Sequence, residues 1–306
     1  MKHRYNQYSS YIKNKYGQRV QKIPVDAGFT CPNRDGTLSV GGCIYCNNSS
    51  FSRRLLSPLT LSEQIKIGIE VAKKKYKVDK FFIYFQSFTN TYACLDYLKE
   101  IYQTALAFEG VVGLCIGTRP DCIDKEKLDF LEDLTEKFDI TIEYGLESVY
   151  DLTLSKINRG HNFQAFENAI NLTLNRNIQI CTHIILGFPW ESSRQWIETA
   201  KILSKYPIDF LKVHNLHVVR ETKLFEIFQE SPFKTLGAEE YLEIIIEFLE
   251  NLNPQIIIQR LLSDTPIDLL ISPRWEIKNS TFLNNLLIEM SKRNTYQGRL
   301  YENIPS

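Results

Sequence analysis

Short β-branched and aromatic runs alternate with longer amphipathic stretches from about position 60 onward, and this alternation constrains the fold of the 306-residue chain more than any other feature. Repeated βα units around a parallel sheet produce that rhythm. Six runs read as strands, at 20–25, 81–86, 111–116, 140–144, 179–186 and 210–216. Helical patterns fill the intervals at 62–76, 94–108, 125–138, 163–175 and 193–205, the first with Ser62 as its expected cap. A closed barrel needs eight strands, so the expected fold class is α/β, a partial (βα)6 barrel over residues 20–222. Residues 1–19 are expected to form a basic N-terminal helical segment. Residues 223–306 read as a mixed C-terminal extension packed on the core, with helices at 238–252 and 280–292 around a strand-like run at 255–261.

The stretch 26–58 breaks the rhythm, carrying glycines, prolines, asparagines and three of the seven cysteines but no apolar period. A loop of this length inside a compact domain is usually functional or disordered, and the cysteines favour function. Its cysteines, Cys31, Cys43 and Cys46, follow the spacing Cys-x11-Cys-x2-Cys, with Gly41 and Gly42 letting the backbone turn before the close pair. Three thiolates suit three irons of a cubane cluster with the fourth iron open. A zinc site is the competing reading, but it needs a fourth ligand, and His161, His183, His214 and His217 all lie more than a hundred residues away. Three unrelated free thiols are the third reading.

An odd number of cysteines, with the other four scattered at 94, 115, 122 and 181, points to a reducing compartment and to core positions for those four. No apolar run approaches the roughly 20 residues that span a bilayer, and the N-terminus is too polar for a secretory signal. The expectation is a cytoplasmic protein with no membrane partner. Basic and acidic residues balance at 36 each, but residues 1–60 hold nine bases against two acids and 273–299 hold five against two, which suggests a basic face on a neutral protein.

The loop DAGFTCPNRDGTLSVGGCIYCNNSSF resembles the signature of the YhcC/YtqA-type radical S-adenosylmethionine (SAM) proteins, distant relatives of the Elongator catalytic subunit. The resemblance extends through FQSFTNTY (85–92), GTRPDC (117–122), EYGLES (143–148), NRGH (158–161), ILGFPWE (185–191) and the C-terminal RLLSDTP and SPRW. The chain departs from the wider superfamily, which usually carries Cys-x3-Cys-x2-Cys, in its long first gap. The resemblance implies a barrel of the radical SAM type and a 4Fe-4S cluster on Cys31, Cys43 and Cys46. It further implies SAM chelated at the open iron, one electron passed from the reduced cluster to the sulfonium, and a 5'-deoxyadenosyl radical that abstracts a hydrogen atom. An electron donor such as flavodoxin or ferredoxin is implied with it.

The quoted motifs fall at the C-terminal ends of strands, where parallel α/β folds build their sites. The resemblance gives the backbone at Gln86 and Ser87 to the methionine amino group, with a well-packed loop as the alternative, and Arg159 to the methionine carboxylate, with a surface arginine as the alternative. By position, a carboxylate at Glu143 suits ribose hydroxyls and Gly187 lets the backbone approach the adenine. Arg119 and Asp121 read equally as substrate-side residues or as a structural ion pair. Ser148 competes as a helix cap and His161 as a polar cap, while His214 is either a proton carrier or a buried hydrogen-bonded residue.

The family resemblance, the kinship with Elongator and the basic termini together point to tRNA, with a wobble-uridine side chain as the target, for example conversion of a carboxymethylaminomethyl to an aminomethyl group. A radical enzyme acting on a small metabolite or peptide is the alternative. A zinc-bearing RNA-binding module without catalysis is the second.

Overall fold

The computed structural model describes residues 4–47 and 59–302. Helix α1 (Tyr8–Tyr16) leads into β1 (Gln21–Val25), and βα units follow as α2 (Leu61–Tyr76), β2 (Phe81–Phe85), α3 (Leu95–Leu106), β3 (Val111–Thr118), α4 (Lys125–Leu134), β4 (Asp139–Glu147), α5 (Asp151–Lys156), α6 (Phe163–Thr173), β5 (Gln179–Leu186), α7 (Ser193–Leu203) and β6 (Phe210–Asn215). The chain continues through β7 (Val218–Val219), α8 (Lys223–Glu230), α9 (Ala238–Asn251), β8 (Ile257–Arg260), β9 (Leu270–Ser272) and α10 (Asn279–Lys292). Seven strands form one parallel sheet in the order β1-β2-β3-β4-β5-β6-β8, and β7 and β9 make a small antiparallel pair. The partial parallel barrel expected from the alternation is therefore present, with one strand more than six. The seventh, β8, comes from the run at 255–261.

Side-chain alternation divides each strand between two environments. Phe81, Ile83 and Phe85 of β2 face the outer helices and join the main core, while Phe82 and Tyr84 face inward. Each fully buried phenylalanine contributes about 1.5–3 kcal/mol, so the outer face alone favours this register strongly. A one-residue slip would turn it toward the interior.

The cap of α2 is Thr60, not Ser62. Thr60 Oγ1 accepts from the Glu63 amide at 3.3 Å, and Glu63 Oε2 accepts from the Thr60 amide at 2.7 Å, a reciprocal capping box. Ser62 lies inside the first turn.

Helix α1 closes the N-terminal mouth of the half-barrel. Tyr8 and Tyr11 pack on Phe210 with ring centroids 5.2 and 5.4 Å apart, Tyr11 Oη accepts from Gln179 Nε2 at 2.7 Å, and Tyr16 bonds Asp139. The bases expected to form an N-terminal basic face are largely engaged with the protein. Arg4 bonds Ser291 and Asn294, Lys15 pairs with Asp139 at 2.7 Å, and Lys22 points into the barrel. Lys2, Arg53 and Arg54 lie outside the described residues, as do Asn48, Ser49, Ser50 and Phe51 of the loop signature. Of the scattered cysteines, Cys115, Cys122 and Cys181 are buried as expected, whereas Cys94 is exposed at the N-cap of α3. Among the described residues no helix is long and apolar enough to cross a membrane.

Two irregularities re-aim side chains at the open end. In β4, Gly145 faces His183 and Glu147 faces Ile184, leaving Leu146 as an extra residue. In β8, Ile258 faces Leu211 and Arg260 faces Lys212, leaving Gln259 extra. Such bulges break strict alternation and are frequent beside functional sites.

Candidate functional site

The strands' C-terminal ends surround a cavity of about 320 Å³. Cys31, Cys43 and Cys46 form part of its wall, together with Gln86, Arg119, Glu143, Arg159 and His214. Eight of the residues singled out from sequence thus converge on one space. Ser87, Asp121 and Gly187 are not in the wall: Ser87 is buried beside it, Asp121 grips Arg119 from outside, and Gly187, at φ +104°, turns toward Leu216 and Leu236.

The cysteine loop is strapped to the turn after α5. The Ile44 amide donates to Ile157 O at 3.0 Å, Asn158 Nδ2 donates to Gly42 O at 2.9 Å, and Asn33 Nδ2 donates to Asn158 O at 2.5 Å. Within the loop, Arg34 Nη2 donates to Cys46 O at 2.6 Å. Gly42 sits at φ +83°, a left-handed conformation that favours glycine at this turn before the close cysteine pair.

Arg159 is buried, not a surface residue. Its Nε donates to Gly145 O at 3.2 Å, with Nη2 on the same carbonyl, and its Nη1 lies 3.5 Å from Cys43 Sγ. Burial works against its charge, but Tyr45, Cys43 and Glu147 around it raise its pKa well above the ordinary arginine range. Burial, reinforced by the Cys43 thiol, pushes the Cys46 thiol up to about 11. Arg119 is also buried, donating through Nε and Nη2 to Asp121 at 2.9 and 2.7 Å and through Nη1 to Arg159 O at 2.5 Å. Its fork is taken up by the Arg-Asp pair. Ser148 donates to Glu191 at 2.6 Å and accepts from the Tyr150 amide, the residue before α5.

The three sulfurs do not all come together within 4.8 Å, as the ligand atoms of Glu143, Cys181 and His183 do. Thiolates on one tetrahedral zinc with bonds of about 2.3 Å must sit about 3.8 Å apart. The cysteines are thus set wider than a single ion requires, which fits a multi-iron cluster. The wall also holds Thr89 Oγ1, buried without a partner among the described residues, and Asn33 Nδ2 stands 3.6 Å from Cys43 Sγ. This donor set and its polar surroundings fit the cluster and a polar ligand on it. The trio around Glu143 is a poor cation site, because Lys22 and Lys212 already hold its two oxygens at 2.9 and 2.5 Å.

Below the cysteines lies a charged layer that separation in sequence had hidden. Glu143 is fully buried and bonded by Lys22, Lys212 and His183, with Lys212 Nζ also 2.9 Å from Tyr84 Oη. Burial opposes the Glu143 charge, but Lys212, Lys22 and His183 together hold its carboxyl well below the usual range. Burial holds His183 and His217 neutral, lowering both to about 4, and keeps His214 well below its ordinary value. Lys22, His183 and Lys212 alternate into the barrel on β1, β5 and β6. Only the strand register, not any local motif, brings them to Glu143.

Comparison with known proteins identifies the lineage. A model of the Radical SAM superfamily matches residues 31–203, and one of the Radical_SAM C-terminal domain matches 208–292. The chain is 42% identical to MJ0486 of Methanocaldococcus jannaschii over 95% of its own length and 91% of that protein. It is 33% identical to YtqA of Bacillus subtilis over 98% of its length and 94% of YtqA. A weaker match, 27% identity over 50% of this chain and 30% of the other, links it to a tRNA uridine(34) acetyltransferase of Methanocaldococcus infernus. Among solved structures, the fold resembles the M. infernus Elp3 with its N-terminus deleted, at TM-score 0.68 and 19% identity over 91% of this chain and 64% of that one. With a superfamily model covering more than half of the chain and relatives aligned along nearly all of it, the chain belongs to the radical SAM superfamily, in the YtqA group, as an enzyme whose family cofactors are a 4Fe-4S cluster and SAM.

Proposed function

We propose that Cys31, Cys43 and Cys46 ligate three irons of the cluster, and that the enzyme modifies a wobble-uridine side chain of tRNA by converting a carboxymethylaminomethyl to an aminomethyl group. The observation that carries the first part is the set of three thiols on one cavity wall, spaced too widely for one ion and touched at Cys43 by the Arg159 guanidinium. When bound, the cluster and SAM supply a 5'-deoxyadenosyl radical; the chain's residues bind and orient.

In this reading Arg159 offers a fixed cation to the methionine carboxylate, a planar anion that suits its fork. Gln86 lines the wall for the methionine amino group, and Ser87 supports the same turn from beneath. Glu143 acts through the charged layer as well as toward ribose. Gly187 gives the backbone its turn at the end of β5 beside the adenine. Arg119, oriented by Asp121, donates to the Arg159 carbonyl and so fixes the turn that carries Arg159. His214, neutral at the far wall, faces substrate. Electrons come from a flavodoxin or ferredoxin.

The tRNA assignment is supported by the match to a tRNA uridine(34) acetyltransferase and by the likeness of fold to an Elp3 protein. It is tested by nucleoside analysis of tRNA from a strain lacking the gene, complemented with wild type or with Cys43→Ala. Accumulation of carboxymethylaminomethyluridine, reversed by wild type alone, is the expected result. Unchanged tRNA nucleosides would move the substrate to a small metabolite or peptide.

A further inference from the structure

Cys43 is the buried member of the three thiols, and two side-chain nitrogens from different parts of the chain converge on its sulfur. Arg159 Nη1 lies 3.5 Å away and Asn33 Nδ2 3.6 Å away. Arg159 lines the cavity. Asn33 is fully buried and takes no part in the cavity wall, so its amide reaches the sulfur but not a ligand in the cavity.

The neighbours of that amide fix its orientation. A primary amide carries two N–H groups; one is directed at Asn158 O at 2.5 Å, which leaves the other for Cys43 Sγ. Turning the amide over would set Oδ1 against the Asn158 carbonyl, acceptor to acceptor, and lose both bonds. Oδ1 packs over Gly160, where a Cβ would come within 2.3 Å of it, so the glycine of the NRGH motif leaves the room that Asn33 occupies. The backbone ties the same residues together. The Gly42 amide donates to Asn33 O at 2.8 Å, and Asn158, at φ +53°, returns its own side chain to Gly42 O at 2.9 Å and Ser39 Oγ at 3.0 Å.

Reduction adds negative charge to a cluster and its thiolates, so an N–H aimed at a ligating sulfur stabilises the reduced state more than the oxidised one. Burial strengthens that interaction. We propose that Asn33 sets the potential of the cluster: its amide donates to the Cys43 thiolate, raises the reduction potential and so eases entry of the single electron that SAM then receives. This rests on the assignment of Cys43 as a cluster ligand and is independent of the substrate.

The test is the midpoint potential of the cluster in the reconstituted full-length protein without SAM, read from the EPR signal of the reduced form during titration with dithionite, with iron counted in every sample. Asn33→Leu keeps the volume and removes the donor. Its reduction equilibrium is expected to be less favourable by up to about tenfold, or about 59 mV for a one-electron couple. Asn33→Asp puts an anion where the donor was and is expected to fall further. Asn158→Gly keeps the carbonyl and the positive φ but releases the side-chain strap, and its potential is expected to match wild type. Wild type labelled with 15N at its asparagine side-chain amides gives a readout that needs no substitution, a 15N coupling to the reduced cluster in pulsed EPR.

An Asn33→Leu potential equal to that of wild type, an equal drop in Asn158→Gly, or no 15N coupling in wild type overturns the proposal. About four irons in wild type with an unshifted Asn33→Leu potential leaves the cysteine ligands standing and removes only the donor. A wild type that holds no cluster overturns the ligand assignment and the role of Asn33 together.

Discussion

The two mouths of the half-barrel are built from opposite chemistry. At the N-terminal ends of the strands, α1 seals the interior with Tyr8, Tyr11 and Ile12 against Phe82 and Phe210. At the C-terminal ends no helix among the described residues closes the space, and thiols, guanidiniums and a hydroxyl without a partner among those residues line it. The charged layer around Glu143 separates them. Stability is thus concentrated at one end and reactivity at the other, the division expected of barrels whose sites sit on the βα loops.

The largest effect is expected at the boundary. Glu143→Ala leaves Lys22 and Lys212 facing each other without their carboxylate, and breaking a buried pair in this way costs about 3–5 kcal/mol. A urea midpoint close to that of wild type would mean the layer is not a closed electrostatic unit.

A smaller loss is expected at the sealed end. Tyr8→Ala removes an edge contact with Phe210 and should cost about 2 kcal/mol by urea denaturation. Iron content after reconstitution should stay unchanged, and loss of iron in this variant would join the two ends that the fold separates.

At the open end, Arg159→Lys keeps the charge but loses the fork. SAM affinity is expected to fall about tenfold by equilibrium dialysis, with iron content retained. Unaltered affinity would remove Arg159 from the SAM site.

The smallest effect is a pH dependence. His217 accepts from Asn215 Nδ2 through Nε2 and, so fixed, donates from Nδ1 to Thr265 Oγ1, while burial lowers it to about 4. The unfolded chain takes up this proton near 6.5, so the neutral histidine contributes stability above that pH, and the contribution is lost as pH falls from 6.5 toward 4. His217→Gln, compared with wild type by denaturation at pH 7.5, 6 and 5, should flatten that decline. Parallel declines would show that His217 does not titrate on unfolding.

The two mouths were not equally legible. Buried strands such as β5 advertise themselves as β-branched runs, and the expected 179–186 coincides with the observed element. The cysteines and Arg159 are carried by local motifs, and both lie in the wall. The cap of α2 was misplaced by two residues because the Thr60–Glu63 box begins before the apolar period does. The charged layer was not legible. Lys22, Glu143, His183, Lys212 and Arg260 come from five strands, and only register and the bulge at Gln259 bring them together. The N-terminal bases looked like a surface because net charge in a sequence does not say which way a side chain points.

The most direct measurement of the central claim is anaerobic reconstitution with iron and sulfide, followed by assay for 5'-deoxyadenosine after SAM and dithionite, for wild type and Cys43→Ala. Wild type should hold about four irons, as one cubane requires, and form the nucleoside, while the variant does neither. One bound zinc and no nucleoside from wild type, or a full cluster in Cys43→Ala, would contradict the account.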